Sequence, residues 1–168
     1  MNAQSMTRSL IAALIYSPNT DPGSALVEVV RILRARGVAL AGAVQHGSVS
    51  CSMELELLPS ARRISISQNL GNGAKGCRLD SVALAEVASV VRQAIDSGPS
   101  LVIFNKFGVQ EAEGKGLHHE IAAAVTNRIP VLIAVGERFL PQWSEFTGGE
   151  FTPLPCTADA AVSWWDAL

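Results

Sequence analysis

The sequence predicts one α/β domain built as three layers, its sheet mainly parallel with an antiparallel hairpin inserted. Three observations predict it. Short apolar runs at 9–16, 38–45, 100–105 and 130–136 read as strands covered on both faces, as in a parallel sheet. Segments with helical spacing stand between most of them, the alternation typical of α/β folds. Only "SMELELL" (52–58) and "RISISQ" (63–68) alternate polar and apolar residues as half-exposed strands do. The composition fits, since 168 residues, 48% hydrophobic and 17% charged, suffice for a single continuous core. No repeat, low-complexity tract or linker divides the chain, so 1–168 is read as one domain.

In order, "SLIAALIY" is the first strand, and the loop 17–24 leads from it into a helix. Asp21 serves as the N-cap, Pro22 takes the first helical position, and Gly37 lies just past the end. Leu26, Val29, Val30 and Leu33 recur at helical spacing and supply the packing face. "VALAGAVQ" is the second strand. The hairpin follows, joined through Pro59, Ser60, Ala61 and Arg62, and then a loop, "NLGNGAKGCRLD", carries Gly71, Gly73 and Gly76. Asp80 caps a helix running to about Ser97, with Val82, Val87, Val90, Val91 and Ile95 as core candidates. "SLVIFN" is the third buried strand, "LHHEIAAAVTNR" a helix and "PVLIAVG" the fourth strand. "LPQWSEF" forms a short helix, "TPLP" follows, and "TADAAVSWWDAL" is a last helix capped by Thr157. Right-handed crossovers between the strands make the main sheet parallel.

Charge and cysteine usage exclude several classes. A net charge of −2 and a pI near 5.9 give no electrostatic footprint for nucleic acid. The pairs Arg34/Arg36 and Arg62/Arg63 are expected at solvated helix and hairpin positions. The apolar run at 10–16 falls far short of the roughly 20 residues that span a bilayer. With Arg8 as its single nearby positive charge and no small-residue cleavage site, it is not read as a signal peptide. Cys51, Cys77 and Cys156 are odd in number and lack metal-ligand spacing, which predicts reduced thiols in a cytoplasmic setting, and the short apolar run predicts no membrane partner.

Ligands of such sheets bind beyond the C-terminal ends of the strands, which directs attention to the loops at 17–24 and 105–116. The first has the position of a phosphate-binding loop, yet the motif G-x-x-x-x-G-K-[ST] is absent from "SPNTDPGS". Ser24 stands at the hydroxyl position, Gly23 replaces the lysine, Pro22 removes a backbone donor and Asp21 adds a negative charge. The second loop, "NKFGVQEAEGKG", turns abruptly from an apolar strand to an amide and an ammonium.

The order of elements resembles the small nucleoside-triphosphatases of thermophilic bacteria and their vertebrate relatives, which implies a P-loop-NTPase-like fold. In that family the third strand ends Asp-Glu-Ile-Gly, with a further Glu three residues on. Here Asn105 and Lys106 take the acidic positions, while Gly108 and Glu111 keep the others. Through "ISQNLGNGAKGCRLD", "NKFGVQEAEGKGL", "IPVLIAV" and the W-x-x-F-x-G-G around Trp143, Phe146, Gly148 and Gly149, the chain is identified as a member of a bacterial domain-of-unknown-function family. Some members of that family are encoded beside molybdate-uptake genes, which implies an oxyanion context.

NTP hydrolysis needs Mg²⁺ held by a hydroxyl and an acid, with a cation on the transferred phosphate. A chain without the P-loop lysine and without acids at 105 and 106 is expected to bind rather than hydrolyse. Lys106 restores a positive charge, and helix N-termini add N–H donors. The expected ligand is a nucleotide, phosphate or molybdate-like oxyanion; no cofactor is specified. Its site is drawn from Asn19, Thr20, Gly23 and Ser24, from Gln68, Cys77 and Arg78, and from Asn105, Lys106, Gly108 and Glu111. Glu111 is the candidate base if the chain is instead a divergent hydrolase or transferase. The third alternative is an interaction protein with an empty crevice.

Each residue also has a structural reading. Lys106 fits a solvated strand end, Asn105 a turn bonding its own backbone, and Glu111 and Glu113 exposed loop charges. Cys77 beside Arg78 reads as a reactive thiolate or as an inert buried thiol, and Arg78 as an oxyanion ligand or a partner of Asp80. Adjacent helical residues such as His118 and His119 point about 100° apart, and Ala123 replaces the second histidine of H-E-x-x-H, so no metal site is assigned. Trp164 and Trp165 anchor the last helix or make a subunit contact, which leaves a homo-oligomer open.

Overall fold

The computed structural model describes residues 8–46, 53–68 and 78–168, with the side chains of Gln68 and Arg78 outside that description. Strand β1 (Ile11–Tyr16) leads to helix α1 (Pro22–Ala35), β2 (Leu40–His46), β3 (Glu54–Leu58) and β4 (Arg63–Ser65). A short pair follows, β5 (Ser67–Gln68) and β6 (Arg78–Leu79), then α2 (Ser81–Asp96) and β7 (Leu101–Phe107). The chain continues through α3 (Val109–Ala112), α4 (His118–Thr126), β8 (Val131–Gly136), α5 (Leu140–Thr147), β9 (Thr152–Pro155) and α6 (Ala158–Asp166).

Seven strands form one sheet in the order β4-β3-β2-β7-β8-β1-β9, and β5 pairs only with β6. Strands β2, β7, β8, β1 and β9 run parallel, while β3 pairs antiparallel with β2 and β4 antiparallel with β3. The α/β class and the inserted hairpin are as expected. Helices α1 and α6 cover one face; α2, α4 and α5 cover the other. Strand alternation feeds both layers: Ala12, Leu14, Leu101 and Ile103 pack with α1 residues, whereas Ala13, Val102, Phe104 and Ile133 pack with α2 and α4 residues.

The capping chemistry read from the sequence is present. The Asp21 carboxylate accepts from Gly23 N–H at 2.9 Å, and Asp80 accepts from Val82 and Ala83 N–H at 3.0 and 3.1 Å. Thr157 caps α6 by accepting from Ala160 N–H at 3.2 Å. Trp164 is buried and its indole N–H donates to the Ser9 carbonyl at 3.3 Å, which anchors α6 beside the start of β1. Gly42 lies inside β2 with φ +115°, where a Cβ would drive into the Ile103 carbonyl of β7. Only glycine lets these two strands meet there.

Three expectations change, and "TPLP", which carried no assignment, is a strand. Val82 is 79% exposed, because the buried stripe of α2 is Val87, Val91 and Ile95, repeating every fourth residue, and Val82 lies about 140° around the helix from it. "RISISQ" is two strands, broken at Ile66, whose N–H donates to the Met53 carbonyl. "TPLP" forms β9, an edge strand beside β1, with Pro153 and Pro155 removing two donors from that edge. Strand β3 is buried along most of its length, since α1 reaches over its outer face.

Candidate functional site

The site begins with an irregularity in β7. Phe104 pairs with Ile133 of β8 and Phe107 with Val135, so three residues of β7 advance while two of β8 do. Phe104 and Phe107 therefore both point into the α2–α4 layer, where Phe107 packs edge-on against Trp143 at 5.1 Å between ring centroids. Burying these rings stabilises the bulge by about 2–3 kcal/mol each. Asn105 and Lys106 lie within the bulge, a device that re-aims side chains at strand ends.

The two strands part at the same level. Pairing between β2 and β7 stops at Ala43–Phe104, and beyond it the Asn105 amide replaces the ladder. Its Oδ1 accepts from Gln45 N–H at 2.9 Å and its Nδ2 donates to Gln45 Oε1 at 3.1 Å. Asn105 thus bonds across the strands, not to its own turn. Lys106 is exposed, and among the described residues no carboxylate pairs with it. Its aliphatic stem runs alongside Gly108.

These residues border a cleft of about 540 Å³ with the loop after β1 as its other wall. Of the residues predicted for the site, Asn19, Thr20, Gly23, Ser24, Asn105 and Lys106 line it together. A second hollow of about 310 Å³ adjoins it, sharing Tyr16, Gln45, Asn105 and Lys106 and continuing over Gly108 and Glu111 to Arg138. Cys77 lies outside the described residues, as do the side chains of Gln68 and Arg78.

The loop after β1 is closed by its own bonds. Thr20 N–H donates to the Ser17 carbonyl at 3.0 Å, the Ser17 and Thr20 hydroxyls meet at 3.0 Å, and Ser24 Oγ donates to the Asp21 carbonyl at 3.3 Å. The Asp21 carboxylate takes the Gly23 N–H, and Pro22 has none to offer. At the α1 N-terminus, where a phosphate-binding loop presents N–H groups to its anion, a carboxylate is already seated.

Glu111 is also committed. Its two oxygens accept from Gly108 N–H at 3.1 Å and Leu117 N–H at 3.3 Å, and its carbonyl bonds His118 Nδ1 at 2.8 Å. Gly116, with φ +58°, folds the chain over that carboxylate where a Cβ would collide with it. His118 packs on Phe146.

Several groups at the site escaped the sequence reading. Arg138 lies over the Phe139 ring at 4.6 Å and borders the second hollow. Burial pushes the Tyr16 phenol above its ordinary range, Arg138 opposes, and Cys156 and Glu111 add to the rise. Burial, then the Asp21 charge, pushes the Cys156 thiol up. His46 and Glu56 bond at 2.9 Å, and Glu56 also accepts from Arg34 at 3.1 Å, so Arg34 is not merely solvated. The alternation of "ELELL" places Glu56 on the α1 face, the one sequence signal for this cluster.

Fold and cleft together define a layered α/β protein whose candidate site lies beyond the ends of its parallel strands. The structure is similar to THEP1 from the hyperthermophile Aquifex aeolicus, with TM-score 0.68, 13% identity, and coverage of 94% of this chain and 97% of that one. It is also similar to a human cancer-related nucleoside triphosphatase, with TM-score 0.63, 12% identity, and coverage of 93% and 95%. At such identities the likeness is one of fold. Residues 11–164 match the family described as "Protein of unknown function (DUF2478)", and the chain belongs to it. It is 38% identical over 160 residues to the molybdenum import ATP-binding protein ModC 2 of Bradyrhizobium diazoefficiens, matching over 92% of its own length but only 18% of that relative's.

Proposed function

We propose that the chain binds a nucleotide or a small oxyanion of the phosphate or molybdate class in the cleft beyond β1 and β7. It does so without turnover, as a sensor, carrier or accessory factor in molybdenum metabolism. The observation that carries this reading is Lys106, bulged out of β7 and without a carboxylate partner among the described residues at the mouth of the 540 Å³ cleft. Pockets of roughly 300–1,000 Å³ take small ligands. The ammonium acts as a point charge on the anion; the second hydrogen of Asn105 Nδ2 and the Thr20 hydroxyl lie along the same walls. The name of the molybdenum-import relative supports the oxyanion context.

Binding is favoured over hydrolysis by the state of the two groups hydrolysis would need. The α1 N-terminus holds the Asp21 carboxylate, and Glu111 is occupied by two backbone N–H groups, so neither is free to grip a phosphate or activate water. Isothermal titration of the native chain and Lys106→Ala with ATP and with molybdate tests the reading. Native protein is expected to release heat and Lys106→Ala to bind about tenfold more weakly. Equal heats from both remove Lys106 from the site. Phosphate release with Mg²⁺ would instead make the chain a hydrolase, and silence to every ligand with a stable pull-down partner would make it an interaction protein.

A further inference from the structure

We propose that His46, clamped at Nε2 by Glu56, is a second cation of the cleft, through which anion binding takes up a proton. The proposal rests on the binding reading above and names a group that reading did not include. His46 ends β2, and its Nε2 lies 2.9 Å from Glu56 Oε1 on the neighbouring β3. The other oxygen of Glu56 accepts from Arg34 of α1 at 3.1 Å, and Glu56 is only 8% exposed. A buried carboxylate held by a guanidinium is a fixed acceptor, so it draws the ring hydrogen to Nε2 and sets the orientation of the imidazole. This is how proteins prepare a histidine whose other nitrogen does the work.

That other nitrogen, Nδ1, has no partner among the described residues. His46 lines two spaces: the 540 Å³ cleft that holds Lys106, and a hollow of about 410 Å³ bounded by Arg34 and Glu56. His46 therefore forms the wall between a supporting ion cluster and the ligand space. In the neutral ring Nδ1 offers a lone pair, which repels an anion. In the imidazolium it offers an N–H and a positive charge. An anion arriving in the cleft stabilises the protonated ring, so binding and proton uptake are linked.

The sign follows. Binding strengthens as pH falls, because the bound anion stabilises the imidazolium and so draws in a proton. Among the described residues, the other charged groups facing His46 are Glu54, its cross-strand neighbour on β3; Arg63 of β4, 3.9 Å from Glu54; Arg31 and Arg34 of α1; and Asp21 and Lys106 in the cleft. Carboxylates, guanidinium and ammonium groups ordinarily keep their charge between about pH 6 and 8, where an imidazole does not. His118 and His119 are the other histidines, and His118 is engaged with the Glu111 carbonyl.

Sulfate and molybdate are suitable probes because both remain dianions across that range. The full chain is titrated calorimetrically with each at about pH 6 and pH 8, in two buffers of different ionisation enthalpy. Affinity is expected to be about tenfold higher at the lower pH, with net proton uptake on binding. His46→Gln should abolish both the slope and the uptake. Lys106→Ala should weaken binding at both values and keep the slope. Imidazole ¹⁵N spectra of the native chain give a readout that needs no variant to fold: an Nε2–H tautomer for His46, shifting to the doubly protonated form when sulfate is added. A slope that survives in His46→Gln, no slope in the native chain, or a ring insensitive to sulfate overturns the inference and leaves the binding reading standing. No heat from sulfate, molybdate or ATP at either pH overturns both.

Discussion

At the scale of single residues, Asp21 sets the terms for any ligand. Its carboxylate satisfies the Gly23 N–H and adds negative charge at the positive end of α1. Helix stability and anion affinity therefore pull in opposite directions at this position. Asp21→Ala should lower unfolding stability by about 1 kcal/mol, through loss of the cap. The same change should tighten molybdate or ATP binding about fivefold, by removing a like charge. Urea unfolding beside titration measures both, and a variant weaker in both respects would place the anion away from α1. Glu111 shows the same preference for structure, since its oxygens close the turn between α3 and α4 rather than face solvent unpaired.

At the scale of elements, the meeting of β2 and β7 decides the geometry. Gly42 lets the two backbones approach at mid-strand, the Asn105–Gln45 amide pair holds them after the ladder ends, and the bulge then turns Lys106 outward. Gly42→Ala adds a Cβ at positive φ directly against the Ile103 carbonyl, and should cost about 3 kcal/mol. The midpoint of urea unfolding reads that cost. A shift under about 0.5 kcal/mol would mean that β2 and β7 can separate at mid-strand without loss. Because the register would slip towards the strand ends, a folded fraction of this variant should also bind anions more weakly.

For the whole molecule, the two groups pushed upward by burial, Tyr16 and Cys156, give the fold an alkaline weakness. Each has a higher proton affinity folded than unfolded, so their effect is absent at low pH. Stability is lost as pH rises above the ordinary thiol and phenol values, about 8.5 and 10, towards the folded ones. The thermal midpoint should fall across that window, and Tyr16→Phe should flatten the upper part of the fall. A profile identical in the two proteins would show that the phenol ionises as easily folded as unfolded. No helix among the described residues is long and apolar enough to cross a membrane.

The sequence by itself determined the elements that depend on local chemistry. Buried runs marked β1, β2, β7 and β8, caps at Asp21, Asp80 and Thr157 marked helix starts, and the stripe Leu26, Val29, Val30 and Leu33 marked the face of α1. It also singled out the strand end at Asn105 and Lys106, because an apolar run that turns polar is visible along the chain. Only the tertiary structure decided what those residues meet. Pairing Asn105 with Gln45, Arg34 with Glu56 and Glu56 with His46 joins positions 60, 22 and 10 residues apart. Such contacts are set by which strands lie side by side, and strand order is a property of the packed layers, not of any stretch of sequence. The exposure of Val82 and the strand at "TPLP" have the same cause: burial and edge pairing are conferred by neighbours, and one chain read in order does not show its neighbours.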